Sequence, residues 1–152
     1  MLWASTGRGV AAVPKISGVK EHKARLNRLA GPEMVRQVGA ALYAAGSLIE
    51  TEAARSITEG AVSGKGHVPS KPGEAPKADT HLLDRSIETN LVEPLRAEVS
   101  ANAPYAVPLE FGTSKMAARP FMAPAAQRKR KEVVDLIQRA VSKVVSGGKV
   151  VP

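Results

Sequence analysis

The spacing of apolar residues predicts long helices at both ends of this chain. From Val19 the pattern turns helical: Val19, Leu26 and Leu29 share one face before Gly31-Pro32 interrupts. Pro32 suits a first helical turn, where its missing N–H costs nothing, and Glu33 beside it complements the helix dipole. Val35, Val38, Leu42, Ala45 and Ile49 then recur at spacings of three and four, with Ala53 and Ile57 prolonging the stripe. Gly60 supplies a stop. The small residues Ala40-Ala41 and Ala44-Ala45-Gly46 within this helix permit close approach of another backbone. Intrachain packing is the first reading of them, and an intersubunit contact the second.

Periodicity then vanishes. Residues 60–80, "GAVSGKGHVPSKPGEAPKADT", carry three Pro, several Gly and three Lys, which predicts a long mobile loop. So long an unstructured segment inside a compact domain is uncommon without a docking role or disorder. Beyond it, "HLLDRSIETNLVE" alternates at Ile87, Thr89 and Leu91, Pro94 punctuates, and Ala97, Val99 and Ala101 alternate again. Two such runs around a short turn predict a half-exposed antiparallel hairpin. A short helical turn and a loop follow. Helical spacing resumes from Ala125 to Val145, with Val133, Ile137, Ala140 or Val141, and Val144 on one face. The expected class is α+β, long N- and C-terminal helices packed on a small antiparallel sheet. Residues 18–146 form the single domain, flanked by a flexible arm (1–17) and a flexible tail (147–152).

Composition changes this picture in one respect. The chain has 152 residues and is 43% hydrophobic but only 3% aromatic, so Ala, Val and Leu must fill the core. Large rings supply much of a normal core's buried area, and a core without them is thin. An oligomer supplies the missing burial. There is no Cys, which removes disulfides and thiolate metal sites. The opening residues lack a basic stretch followed by a long apolar one, and no run approaches a membrane span; a soluble chain, made in the cytoplasm, is expected. The net charge of +8 permits contact with nucleic acid, an anionic surface or an acidic protein.

Catalytic signatures are weak. Asp79, His81 and Asp84 lie close in sequence, but a metal needs three or four converging ligands and such clusters arise by chance. "GKG" at 64–66 lacks the spacing of a phosphate loop, and Ser70-Lys71 sits in a segment ill suited to holding a reactive pair. No cofactor, no metal and no enzymatic activity are expected.

The aromatics are concentrated. Tyr105, Phe111 and Phe121 are three of the five in the chain, and all lie in "YAVPLEFGTSKMAARPFMAPA" (105–125). Gly112 is suited to a tight turn with Thr113 hydrogen-bonding locally. Phe111 and Phe121 are expected to pack that turn against the sheet and the last helix. Pro120 fixes the approach to the helix, and Arg119 is placed to pair with Glu110.

Together with "SKPGEAPKADTHLLDRSI" (70–87), this stretch resembles the tail-completion, or neck, family of long-tailed bacteriophages and prophages, the gene-product-ten-like proteins. That family's pattern is a Pro-Gly-x-Pro loop, Thr-Gly-x-Leu-x-x-Ser-Ile, Tyr-x-x-x-x-Glu-Phe-Gly-Thr, and x-Ala-x-Pro-Phe-x-x-Pro-Ala. The resemblance rests on Tyr105, Glu110, Phe111, Gly112, Thr113, Arg119, Pro120, Phe121 and Pro124, and runs in order through about residues 19 to 145. One position departs from it: His81 stands where the pattern has Gly. His reaches positive φ less readily than Gly does.

The resemblance implies a structural virion protein that forms a ring in the phage neck. Its partners would be further copies of itself, head-closure or connector proteins, and tail terminator or tail tube proteins. DNA would pass through the channel without sequence specificity, and the ring would be assembled in the bacterial host cytoplasm. Lys65, Lys71, Lys77, Lys115, Arg128, Lys129, Arg130 and Lys131 are the candidates for interface or channel contacts. The alternative is a small basic nucleic-acid-binding protein using "QRKRK" (127–131) and the basic loop.

Overall fold

A computed structural model describes residues 17–147. The arm and tail expected at the two ends lie almost wholly outside these residues. The elements are α1 (Val19–Leu29), α2 (Pro32–Thr58), α3 (Leu82–Arg85), β1 (Ile87–Glu93), β2 (Arg96–Ala101), α4 (Ala106–Phe111) and α5 (Met122–Val145). The class is the α+β arrangement expected: α2 and α5 pack on each other, and the two-stranded antiparallel sheet lies against α2.

The long helix α2 starts and stops where its residues say it should. Pro32 occupies its first turn, Glu33 is the acid beside it, and Gly60, just past the end, takes φ +66°. The buried stripe runs through Val38, Ala41, Ala45, Ala53 and Ile57. Its small residues serve the hairpin. A Cβ on Gly39 would stand 2.5 Å from the Pro94 carbonyl oxygen at the hairpin tip, and one on Gly46 would collide with Thr89 Cγ2. The close approach read from the Ala/Gly run is therefore intrachain. The sheet sits nearer this helix than a Cβ would permit.

In the hairpin, Ile87 pairs with Ala101 and Thr89 with Val99, while Glu93 faces Arg96 across Pro94-Leu95. The register shifts between Leu91 and Glu93, an irregularity that bends the tip. Ile87 and Thr89 are buried against α2, and Glu88 and Asn90 are exposed. Alternation predicted this split.

The core is as thin as the composition implied. Among the described residues, buried apolar residues are mostly Ala, and the largest fully buried side chains are Phe121 and Ile57. Two arginines, themselves about half exposed, meet on the buried Glu52 and tie the two long helices together. Glu52, 5% exposed, accepts from Arg128 Nε at 2.7 Å and from Arg55 Nη2 at 3.0 Å. Hydrogen bonding from Arg55 is the main cause that holds this carboxyl below its ordinary value; burial opposes it, and Arg128 adds to it.

The 60–80 segment is a loop, as expected, with one 3-10 turn at Gly64–Gly66. It is pinned along its length. Ala78 N–H donates to the Ile57 carbonyl at 2.9 Å, Gly73 N–H to the Ala118 carbonyl at 2.9 Å, and Gly64 N–H to Asp79 Oδ1 at 2.8 Å. The short helix α3 was not anticipated: Leu82-Leu83 reads equally well as the start of the strand. His81 immediately before it adopts φ +58°, ψ +21°. It is the only non-glycine among the described residues with positive φ. His81 thus takes a left-handed backbone, with its Nδ1 3.1 Å from Asp84 Oδ2.

Candidate assembly interface

The stretch 105–125 folds as α4, a tight turn and the start of α5. Tyr105 caps α4 from the front, and Gly112 ends it with φ +77°, ψ −179°. This conformation is essentially reserved for glycine. Space is short as well: a Cβ there would lie 2.9 Å from both Ala118 N and the Met116 carbonyl oxygen. Thr113 then bonds locally as expected, its Oγ1 accepting from the N–H of Lys115 at 3.2 Å and of Met116 at 3.1 Å. Arg119 N–H donates to the Leu109 carbonyl at 2.7 Å, closing the turn back onto α4.

Glu110 does something other than pair with Arg119. Its carboxylate accepts three backbone N–H groups at the start of α5: Phe121 at 2.8 Å, Met122 at 3.0 Å and Ala123 at 2.9 Å. A helix leaves its first four N–H groups without intrahelical partners. Phe121, at the cap position, has no side-chain oxygen to offer. Pro124 has no N–H at all, and the Ala125 N–H reaches the Phe121 carbonyl at 3.3 Å to begin the helical ladder. Glu110 and Pro124 thus account for all four positions. A carboxylate there also meets the positive end of the helix dipole. The expected Glu110–Arg119 pair does not form, because the backbone occupies the carboxylate. A signal for this was present: no Ser, Thr, Asp or Asn precedes α5, so its cap had to come from elsewhere in the chain.

The two phenylalanines part company. Phe121 is 1% exposed and sits in the core with Ala53, Ile57, Ile87 and Ala125. Phe111 is 78% exposed, so the expectation that it packs the turn inward fails. The physical reason is the pitch of α4. With Ala106 turned into the core and Leu109 packed against it, residues 107 and 111 fall on the opposite side, and Val107 is exposed too. Beside them runs an open apolar groove of about 620 Å³, lined by Val99 and Ala101 of β2, Val107, Phe111, Phe121 and Met122.

The basic residues are spread over three segments. Lys65 and Lys71 are exposed on the 60–80 loop, and Lys77 there donates to the Gly60 carbonyl at 3.2 Å. Lys115 is exposed on the turn. Within "QRKRK", Arg128 is bound to Glu52 and Lys129 to Glu132 at 2.9 Å, while Arg130 and Lys131 face solvent. Spacing along a helix could not separate these two pairs, since the partner of Arg128 comes from α2.

Among the described residues, no three His, Cys, Asp or Glu side chains converge as a metal site would require. No described helix is long and apolar enough to cross a membrane. The chain matches no family model, no curated protein and no solved structure.

Proposed function

We propose that this protein is a structural component of a bacteriophage neck, joining the head connector to the tail as a ring of identical copies. Its role is assembly, and it needs no cofactor. The observation that carries this reading is Phe111, presented at 78% exposure beside an apolar groove on a turn locked by Gly112 and Glu110. An exposed ring next to an apolar concavity marks an interaction surface. Holding it on capped, hydrogen-bonded backbone lowers the ordering cost of binding. The thin, Ala-filled core points the same way, since ring closure through heterologous contacts adds burial that the monomer lacks. The motif resemblance of residues 70–87 and 105–125 supplies the particular assembly.

The decisive test is a phage lacking this protein. Full heads and complete but unattached tails are the expected phenotype, with joining restored by the purified protein. Particles that join normally without it would refute the reading. Imaging of assembled necks would then locate the chain and count its copies. The nucleic-acid alternative has less to stand on, because Arg128 and Lys129 are already engaged by carboxylates. It predicts DNA affinity that falls steeply with salt and is abolished by reversing Arg130 and Lys131.

A further inference from the structure

The hairpin is covered unevenly. On the face that meets α2, Ile87 and Thr89 of β1 are 4% and 5% exposed, whereas their cross-strand partners Ala101 and Val99 on β2 are only half-buried. The less covered side borders the apolar groove, which takes Ala97, Val99 and Ala101 from β2 and no residue from β1. The backbone on that side is unpaired as well. Asn102 N–H donates to the Ser86 carbonyl at 3.0 Å, one step beyond the Ile87–Ala101 pair. In an antiparallel ladder, bonded pairs alternate with unbonded ones. Glu88–Ser100 and Asn90–Glu98 are therefore bonded pairs, and the N–H and C=O groups of Ala97, Val99 and Ala101 point away from β1. Among the described residues, no backbone group outside the hairpin bonds to them. A free edge beside an apolar concavity is what an added strand fills: main-chain hydrogen bonds hold it, and alternate side chains enter the groove.

The surroundings narrow the choice of strand. A second hairpin does not fit, because the α2 beneath it would have to run where α5 already lies beside this α2. A lone extended segment does fit. Gly9-Val10-Ala11-Ala12-Val13-Pro14, outside the described residues, has the right chemistry: small apolar residues for a groove rich in alanine, with Pro14 where strand pairing would stop. Its own chain holds it too far away. The groove lies at the start of α5, whereas α1 meets the other end, the Arg28 side chain lying 3.8 Å from where a Cβ on Gly147 would stand. The length of α5 is about 36 Å; α1 laid straight back along it would cover about 16 Å, and residues 14–16 about 11 Å more. An arm from another copy has no such limit.

We propose that residues 9–13 of a second copy add as a third strand to the free edge of β2, with alternate side chains in the groove beside Phe111. The proposal rests on the reading that copies of this chain assemble through this face, and it names the segment that does so.

The test is hydrogen exchange on the full-length chain, resolved to single amides by fragmentation mass spectrometry. It is run over a dilution series whose assembly state is followed by light scattering. The amides of Ala97, Val99 and Ala101 are expected to exchange roughly tenfold more slowly, or slower still, in assembled than in monomeric protein. Those of Glu98 and Ser100, bonded to β1, should not change. Ala11→Pro with Ala12→Pro removes two adjacent N–H groups, one of which faces β2 in either register, and should abolish the difference. Assemblies whose edge amides exchange freely, or are equally protected in the double proline variant, would overturn the proposal and leave the assembly reading in place. Protection that persists in the monomer would assign the strand to the chain's own arm and overturn the exchange between copies. A chain that stays monomeric at every concentration would remove the assembly reading and the proposal with it.

Discussion

Phe121 and Phe111 belong to one turn yet face opposite worlds. The first closes a core built mostly of alanine. The second stands in solvent above an apolar groove. Between them, Gly112 ends α4 and Glu110 caps α5. The contrast separates two uses of a hydrophobic residue: on the inner face it stabilises the monomer, and on the outer face it is available to a partner. Stability measurements and assembly measurements should therefore respond to different residues of the same motif.

The largest effect is expected at the inner face. Phe121→Ala should lower the unfolding free energy by about 3–5 kcal/mol. Urea denaturation would read this as a fall in midpoint with an unchanged slope. In so thin a core the loss could consume most of the native stability. A midpoint within error of wild type would mean that Phe121 is not the keystone its burial implies. Next comes the hinge between the faces. Gly112→Ala must place a Cβ against two backbone atoms in a glycine-only region, which should cost roughly 1–3 kcal/mol by the same assay. Glu110→Ala strips three N–H groups of their acceptor and should cost about 1–2 kcal/mol. Its circular dichroism should show fraying at the start of α5, with Glu110→Gln intermediate.

These residues also mark how far the fold could be read from the chain. The stripe from Val35 to Ile57 predicted α2, and alternation about Pro94 predicted the hairpin, because burial on one face leaves a period that survives in the residue order. Gly112 gave away the turn, because few residues tolerate its backbone. Glu110 was misread because its partners are backbone N–H groups, which carry no residue signature, whereas the nearby Arg119 advertises a salt bridge. Phe111 was misread because a lone aromatic in a turn has no period to say which way it points. That direction was set by the pitch of α4 and the burial of Ala106. Ser70, Asp84 and Arg119 line one cleft but come from three separate segments, so only the fold brings them together.

A smaller effect should appear at the seam of α2 and α5, also on the inner side. The Glu52 carboxyl is held below its ordinary value of 4.5, chiefly by Arg55 and then by Arg128. A group whose folded pKa is depressed contributes stability that is present above its unfolded value and is lost as pH falls through the folded one. The thermal midpoint of the wild type should therefore drop as pH falls below about 4.5. The Glu52→Gln variant should start lower at neutral pH and lose less over that window. Parallel curves would remove the cluster from the account of helix pairing.

The smallest effect on stability is expected at the outer face, and it is the one that could break the contrast. Phe111→Ser removes an exposed ring, and surface substitutions away from caps and cores usually stay within about 0.5 kcal/mol. Urea midpoints should scarcely move. Oligomerisation should: if Phe111 seats in the groove of a neighbouring copy, light scattering and electron microscopy would show loss of higher assemblies from a fully folded protein. A charged residue at the groove floor, as in Val99→Glu, should impair assembly in the same way, though its partial burial also lowers stability. The informative result is therefore a stable Phe111→Ser chain that no longer assembles. If that variant assembles like wild type, the outer face is not the contact. If it unfolds instead, Phe111 belongs with Phe121 in the core, and the division between the two faces of the turn is wrong.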